Sequence, residues 1–209
     1  MKLAALYSGG KDSHLATSIY FDQIEYLVTI IPKSRFPYMY HPINLHILDR
    51  HAQSMGKEIL KFEQESEDEL EILKEAMAEL KSHGVTGIVT GAIASNYQYS
   101  RILRLAEQFN LKVIAPLWHI DIDDYLRLYR DYGLKAIIVG VYAYPLDDSY
   151  LLREYDRELA YYFNTISINP YGEGGEFETF VYQSNIMPRV EFRINRIEGK
   201  NNSWTAYLE

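Results

Sequence analysis

Six residues near the N-terminus, Ser8-Gly9-Gly10-Lys11-Asp12-Ser13, combine the ingredients of an anion cradle. Two adjacent glycines let the backbone turn sharply and approach a ligand with no side chain between them. The amides that follow open a helix, where unpaired N–H groups and the helix dipole favour negative charge. Ser8 and Ser13 add hydroxyl donors, and Lys11 adds a mobile positive charge suited to phosphate oxygens. Asp12 is a poor neighbour for phosphate by itself, so it either holds a magnesium ion or orients a loop amide. The order is not that of the kinase-type loop, which needs four residues between its first glycine and a Gly-Lys-Ser/Thr run.

Two further segments carry chemistry. Residues 91–98 read Gly-Ala-Ile-Ala-Ser-Asn-Tyr-Gln. Small side chains there leave room for a nucleotide, Ser95, Asn96 and Gln98 offer neutral hydrogen bonds, and Arg101 suits a phosphate or carboxylate. Residues 169–179 hold three glycines and the acids Glu173, Glu176 and Glu178, a composition suited to a loop that closes on a ligand or cation. His41, His46 and His51 are spaced five apart, which does not align them on one helical face, so a metal site is not expected there.

These segments need elements to position them. Strands are expected over residues 3–7, 26–31, 59–62, 87–90, 112–115 and 136–142. Helices fit between them. Ser66 with Glu69 makes a capping box ahead of Leu70, Leu73, Met77 and Leu80, and Gly84 supplies the stop. Ile102, Leu105, Ala106 and Phe109 form a second stripe, ended by Asn110. Asp121 caps a third, carrying Tyr125, Leu128 and Tyr129. Such alternation implies an α/β fold with a doubly wound parallel sheet. The last third differs: a helix is expected over residues 150–164, an alternating strand from Val190 to Ile194, a turn at Asn201-Asn202 and a strand over 204–208. A boundary near residue 120 separates the parallel sheet from a smaller C-terminal α+β lobe. In the parallel sheet, ligands bind beyond the carboxyl ends of the strands, where the first two segments fall.

Composition narrows the class further. The chain has 209 residues and no cysteine, which excludes disulfide scaffolds, thiolate metal sites and thiol catalysis. A formal net charge of −8 argues against broad binding of nucleic acid. No apolar run reaches the length of a membrane span and no signal-peptide pattern opens the chain, so a cytoplasmic protein is expected. The 19 tyrosines read as packing residues.

The first segment resembles the pyrophosphate loop (PP-loop) of the ATP pyrophosphatases, with their adenine nucleotide alpha hydrolase-like fold. Taken with Met39-Tyr40-His41, Asn44, residues 91–98, Ala115-Pro116-Leu117-Trp118 and residues 169–179, the chain resembles the diphthine–ammonia ligase (diphthamide synthetase) family. That resemblance implies ATP and Mg2+ as cofactors. It implies amidation of diphthine on translation elongation factor 2 by ammonium, through an acyl adenylate, with release of AMP and pyrophosphate. It further implies a PP-loop ATP-binding domain over residues 1–120 and a substrate-binding lobe over 121–209.

Residue by residue, the resemblance gives Ser8, Gly9, Gly10, Lys11, Asp12, Ser13, Gly91, Ala92, Ser95 and Asn96 to the nucleotide. It gives Lys11, Asp12, Glu173 and Glu176 to catalysis, and Asp12 to the metal. Tyr40, His41, Tyr97, Gln98, Arg101, Gly172 and Gly175 fall to the substrate; diphthine carries a trimethylammonium group, which acidic and aromatic neighbours suit. The chain departs from the family pattern at His14 and Tyr171, where relatives carry cysteine, and at Gly174 and Glu178, where others have an amide and a histidine. Either those thiols are inessential or the role has shifted. Two other readings stay open: a related adenylating enzyme with another acceptor, such as a transfer RNA, and a non-catalytic nucleotide sensor.

Overall fold

The computed structural model describes residues 1–33, 43–65 and 68–209. Five strands form a parallel sheet: β1 (Leu3–Leu6), β2 (Ile24–Ile31), β3 (Glu58–Glu63), β4 (Gly87–Val89) and β5 (Lys112–Ile114). Their order is β3-β2-β1-β4-β5, every neighbouring pair parallel. The order reverses at β1, so the crevice between β1 and β4 is the switch point where such sheets take ligands.

Alternation along each strand sends side chains to two different cores. Leu3, Ala5 and Tyr7 enter one apolar cluster, while Ala4 and Leu6 face the other. The second cluster is covered by α3 (Glu69–Ser82) and α4 (Asn96–Gln108). Of the stripes read from the sequence, Leu73, Met77 and Leu80 on α3 and Ile102, Leu105 and Ala106 on α4 are buried, Leu70 and Phe109 are partly buried, and Ile72 and Ala76 join the buried face of α3. The first cluster takes α1 (Lys11–Ile19) and α2 (Leu48–Met55).

Asp68 caps α3 by accepting the Leu70 N–H at 2.9 Å. Ser66, expected in that position, lies outside the described residues. Gly84 (φ +76°) follows α3, and Asn110 (φ +50°) follows α4. Asp121 caps α5 (Ile122–Asp131) as expected, accepting the Asp123 N–H at 2.8 Å.

The C-terminal part forms a second, antiparallel sheet of order β7-β6-β9-β8. Its strands are β6 (Lys135–Val141), β7 (Phe177–Gln183), β8 (Ile194–Lys200) and β9 (Ser203–Leu208). The sequence places β6 in series with the parallel strands, but it pairs antiparallel with β7 and β9. Only the second half of the helix expected over 150–164 forms: α6 (Arg157–Thr165), capped by Asp156, preceded by a short 3-10 turn at Asp148–Tyr150. Val190 and Phe192 pack on the core ahead of β8, which starts only at Ile194, and the Val190 N–H donates to the Tyr182 carbonyl at 2.8 Å. Asn201 and Asn202, both at positive φ, turn β8 into β9.

The two sheets are not separate bodies. The apolar cluster under α1 and α2 continues through Val139, Phe163, Phe177 and Phe180 of the C-terminal part. The Val181 N–H donates to the carbonyl of Gly9 at 2.9 Å, so β7 is tied to the glycine turn after β1.

Candidate active site

A cavity of about 470 Å³ opens at the carboxyl ends of β1 and β4. That lies within the usual range for small-molecule sites, ~300–1,000 Å³. All three segments singled out in the sequence line it: Ser8, Gly10, Lys11, Asp12 and Ser13; Gly91, Ala92, Ser95 and Gln98; and Gly172, Glu173 and Gly175. One end is apolar, with Leu6, Val28, Ile30 and Leu73.

The loop after β1 is stitched to itself. The Ser8 amide donates to Ser13 Oγ at 3.2 Å, and the Ser13 hydroxyl reaches the Gly10 carbonyl at 3.0 Å. Gly9 sits at φ +78°, and a Cβ there would stand 2.5 Å from Leu48 Cδ2, so only glycine fits. Gly9 itself shapes the turn from beneath and is not part of the cavity wall. A Cβ on Gly91 would lie 2.6 Å from the carbonyl carbon of Asp12 and the nitrogen of Ser13. Glycine at 91 therefore lets the second segment lie backbone-to-backbone on the first turn of α1.

Lys11 departs from the sequence reading. Its ammonium is not a mobile charge. The residue is 2% exposed. Its Nζ donates to Asp12 Oδ1 at 3.1 Å, to Asp12 Oδ2 at 2.9 Å and to the Tyr171 carbonyl. The rings of Tyr155 and Phe177, each with its centroid 5.3 Å away, and of Tyr125 at 5.9 Å surround it. A buried ammonium needs paired acceptors, and ring faces add attraction. The backbone amide of Lys11 donates to Thr179 Oγ1 at 3.1 Å, a second tie to β7.

Asp12 remains partly exposed, its side chain at 27%. Besides Lys11 it accepts the Tyr125 hydroxyl at 2.6 Å. Burial, with that carboxylate adding to it, holds the Tyr125 phenol well above its ordinary pKa. Glu173 accepts two successive amides, Ile93 N–H at 3.1 Å and Ala94 N–H at 3.3 Å, and so bridges the third segment to the second. Burial raises the pKa of Glu173 first, and the nearby Asp12 charge adds to the rise; the two amides and Lys11 oppose it.

Other expected residues lie elsewhere. Glu176 is not part of the cavity wall: its carboxyl folds back beside Gly174, and its Oε2 has no hydrogen-bond partner among the described residues. Asn96, Tyr97 and Arg101 are also outside the wall. The Arg101 guanidinium stacks 3.3 Å from the centre of the Tyr97 ring and donates to the Tyr97 carbonyl at 3.1 Å. Tyr40 and His41 lie outside the described residues. His46 bonds the Leu208 carbonyl at 2.7 Å, and no group of three or more metal-ligating side chains occurs among the described residues.

Sequence reasoning passed over the three rings around Lys11, because Tyr125 and Tyr155 carry no local signal that separates them from other core tyrosines. It also passed over a polar network beneath the loop. The Tyr7 hydroxyl bonds His14 Nδ1 at 2.7 Å and His51 Nδ1 at 2.8 Å, and His14 Nε2 bonds Ser184 Oγ at 2.8 Å. Burial lowers the pKa of both imidazoles to about 3, with the charge on His51 adding to the effect on His14.

A parallel sheet with a Ser-Gly-Gly-Lys-Asp-Ser turn at its switch point defines an α/β protein of the PP-loop kind. The chain belongs to the diphthamide synthase family: the models of the diphthamide synthase N-terminal and C-terminal domains match residues 1–113 and 121–208. Diphthine–ammonia ligases of Mus musculus and Homo sapiens are 31% and 30% identical over 208 residues, covering 86% of this chain and 78% of each relative. That of Schizosaccharomyces pombe is 33% identical over 121 residues, 56% of this chain and 20% of its own. A solved chain described as a predicted subunit of tRNA methyltransferase from Methanocaldococcus jannaschii aligns with a TM-score of 0.48 at 17% identity, over 87% of this chain and 96% of that one.

Proposed function

We propose that this chain is an ATP-dependent ligase that amidates diphthine on translation elongation factor 2, in the cytoplasm, with ammonium as nitrogen donor. The observation that carries the reading is the convergence of all three segments on one cavity at the switch point, in a chain of the diphthamide synthase family.

A carboxylate resists amine attack because it would have to expel oxide. Attack by a diphthine carboxylate oxygen on the α-phosphorus of ATP breaks the bond to the β-phosphate bridging oxygen and releases pyrophosphate. Ammonia then attacks the acyl carbon, and the carboxylate oxygen leaves as part of AMP. On this reading the helix N-terminus within residues 8–13 holds the β and γ phosphates, the Ser8 and Ser13 hydroxyls exchanging their partners inside the loop for phosphate oxygens. Gly91 and Ala92 flank the α-phosphate, with Ser95 beside the ribose. The apolar end at Leu6, Val28, Ile30 and Leu73 takes the base. Residues 1–120 thus serve the nucleotide, and residues 121–209 serve the acceptor while closing the phosphate end through Thr179.

Magnesium fits the donors present. One part-exposed carboxylate, Asp12, with Glu173 near enough to feel its charge, matches an ion that takes one or two carboxylates and completes its shell with phosphates and water. When bound, the ion would neutralise charge on the departing pyrophosphate. Glu173 orients the second segment through its amides.

Product analysis tests the reading. With the diphthine-bearing factor, ATP and ammonium, AMP and pyrophosphate are expected only when the acceptor is present. Intact ATP would point to a nucleotide sensor, and ADP would reject the ligase.

A further inference from the structure

The ammonium of Lys11 faces inward, and its contacts join two parts of the chain that are 160 residues apart. Asp12 belongs to the phosphate loop, whereas the Tyr171 carbonyl belongs to the glycine-rich strap of residues 169–176. The cage around the ammonium serves the same strap, since the Tyr155 hydroxyl donates to the Pro170 carbonyl at 2.6 Å. Beyond this pin the strap turns through Gly172 (φ +75°) and Gly175 (φ +76°), which leave its path poorly determined by local preference. Its far side is held by Glu173 on the Ile93 and Ala94 amides.

We propose that Lys11 is a positioning residue and not a phosphate ligand: its ammonium latches the glycine-rich strap to the carboxylate of Asp12. The latch fixes Asp12 toward the cavity and sets Glu173 against the second segment. It makes the three segments one unit. The latch stands on these contacts alone; its consequence for turnover rests on the ligase reading.

The test is Lys11→Met, which keeps the apolar stem and removes the charge. Three readouts are taken: amide hydrogen exchange of residues 171–176 without nucleotide, affinity for a non-hydrolysable ATP analogue, and steady-state amidation. The expected result is at least tenfold faster strap exchange and at least tenfold lower kcat, with analogue affinity and KM for ATP within threefold of wild type. Unchanged strap exchange with a tenfold or greater loss of analogue affinity would overturn the latch and restore the phosphate role. If the variant does not fold, reductive methylation of the wild-type protein decides. Lys11 should then be the most slowly modified lysine, equally so with and without the analogue. Rapid modification that the analogue suppresses would overturn the proposal. Failure of wild-type protein to bind the analogue would remove the ligase reading, while strap exchange or methylation of the free protein would still decide the latch.

Discussion

Glu173, expected from the sequence to act on the substrate side, ties the third segment to the second. Its carboxylate is taken up by two backbone amides of the second segment, so it does not stand free as an acid waiting for substrate. Hydrogen bonds to an ionised group are worth roughly 1.5–3 kcal/mol each, and both depend on this side chain. Glu173→Gln keeps the shape, removes the charge and leaves one acceptor where there were two. We expect the amidation rate to fall about tenfold, which corresponds to ~1.4 kcal/mol of barrier, while affinity for an ATP analogue changes by less than threefold. Steady-state kinetics beside calorimetric titration separate the two quantities. A loss confined to nucleotide affinity would show that Glu173 belongs with the phosphate site.

The elements around the site are coupled by close backbone approach and by a buried polar network. Gly91 lies against the first turn of α1, where a methyl group would meet backbone atoms at 2.6 Å. Gly91→Ala must push the second segment away from the phosphate loop. Overpacking of this kind costs about 1–3 kcal/mol in stability, and ATP turnover should drop at least a hundredfold, measurable by pyrophosphate release. Wild-type turnover in that variant would mean the two loops do not act together. Beneath them, His14 and His51 are buried as neutral rings with pKa values of about 3. The unfolded chain titrates near 6.5 and therefore binds more protons than the folded one at any pH between the two values. Stability from these residues is fully present above pH 6.5 and is lost as pH falls toward 3, by up to ~1.4 kcal/mol per histidine per pH unit. Urea unfolding midpoints should drop markedly between pH 7 and pH 5. A flat profile over that interval would contradict neutral burial of the imidazoles.

At the scale of the whole molecule, the parallel sheet was legible because its strands are apolar runs separated by well-capped amphipathic helices. All six expected strands form where the pattern put them, and five of them make the parallel sheet. The sixth, β6, has the same apolar run, but alternation and β-branched content carry no information on direction, and its partners β7 and β9 lie later in the chain. The helix over residues 150–164 was half right, because the Tyr-rich stretch ahead of Asp156 looks helical in composition yet makes a 3-10 turn. The phosphate loop and the glycine-rich strap were visible as spacing. Their joining through Lys11 was not, since it depends on rings brought from α5, the segment before α6, and β7. One apolar core runs from β1 into the C-terminal sheet, so the site is built across both parts. No helix among the described residues is long and apolar enough to cross a membrane.

The path of one oxygen atom tests this chemistry most directly. Diphthine-bearing elongation factor 2 labelled with oxygen-18 in the diphthine carboxylate would be incubated with the protein, ATP and ammonium, and the nucleotide products weighed by mass spectrometry. Transfer through an acyl adenylate puts one labelled oxygen on the phosphate of AMP and none in pyrophosphate. Label in inorganic phosphate alongside ADP, or amide formed with unlabelled AMP, would contradict it.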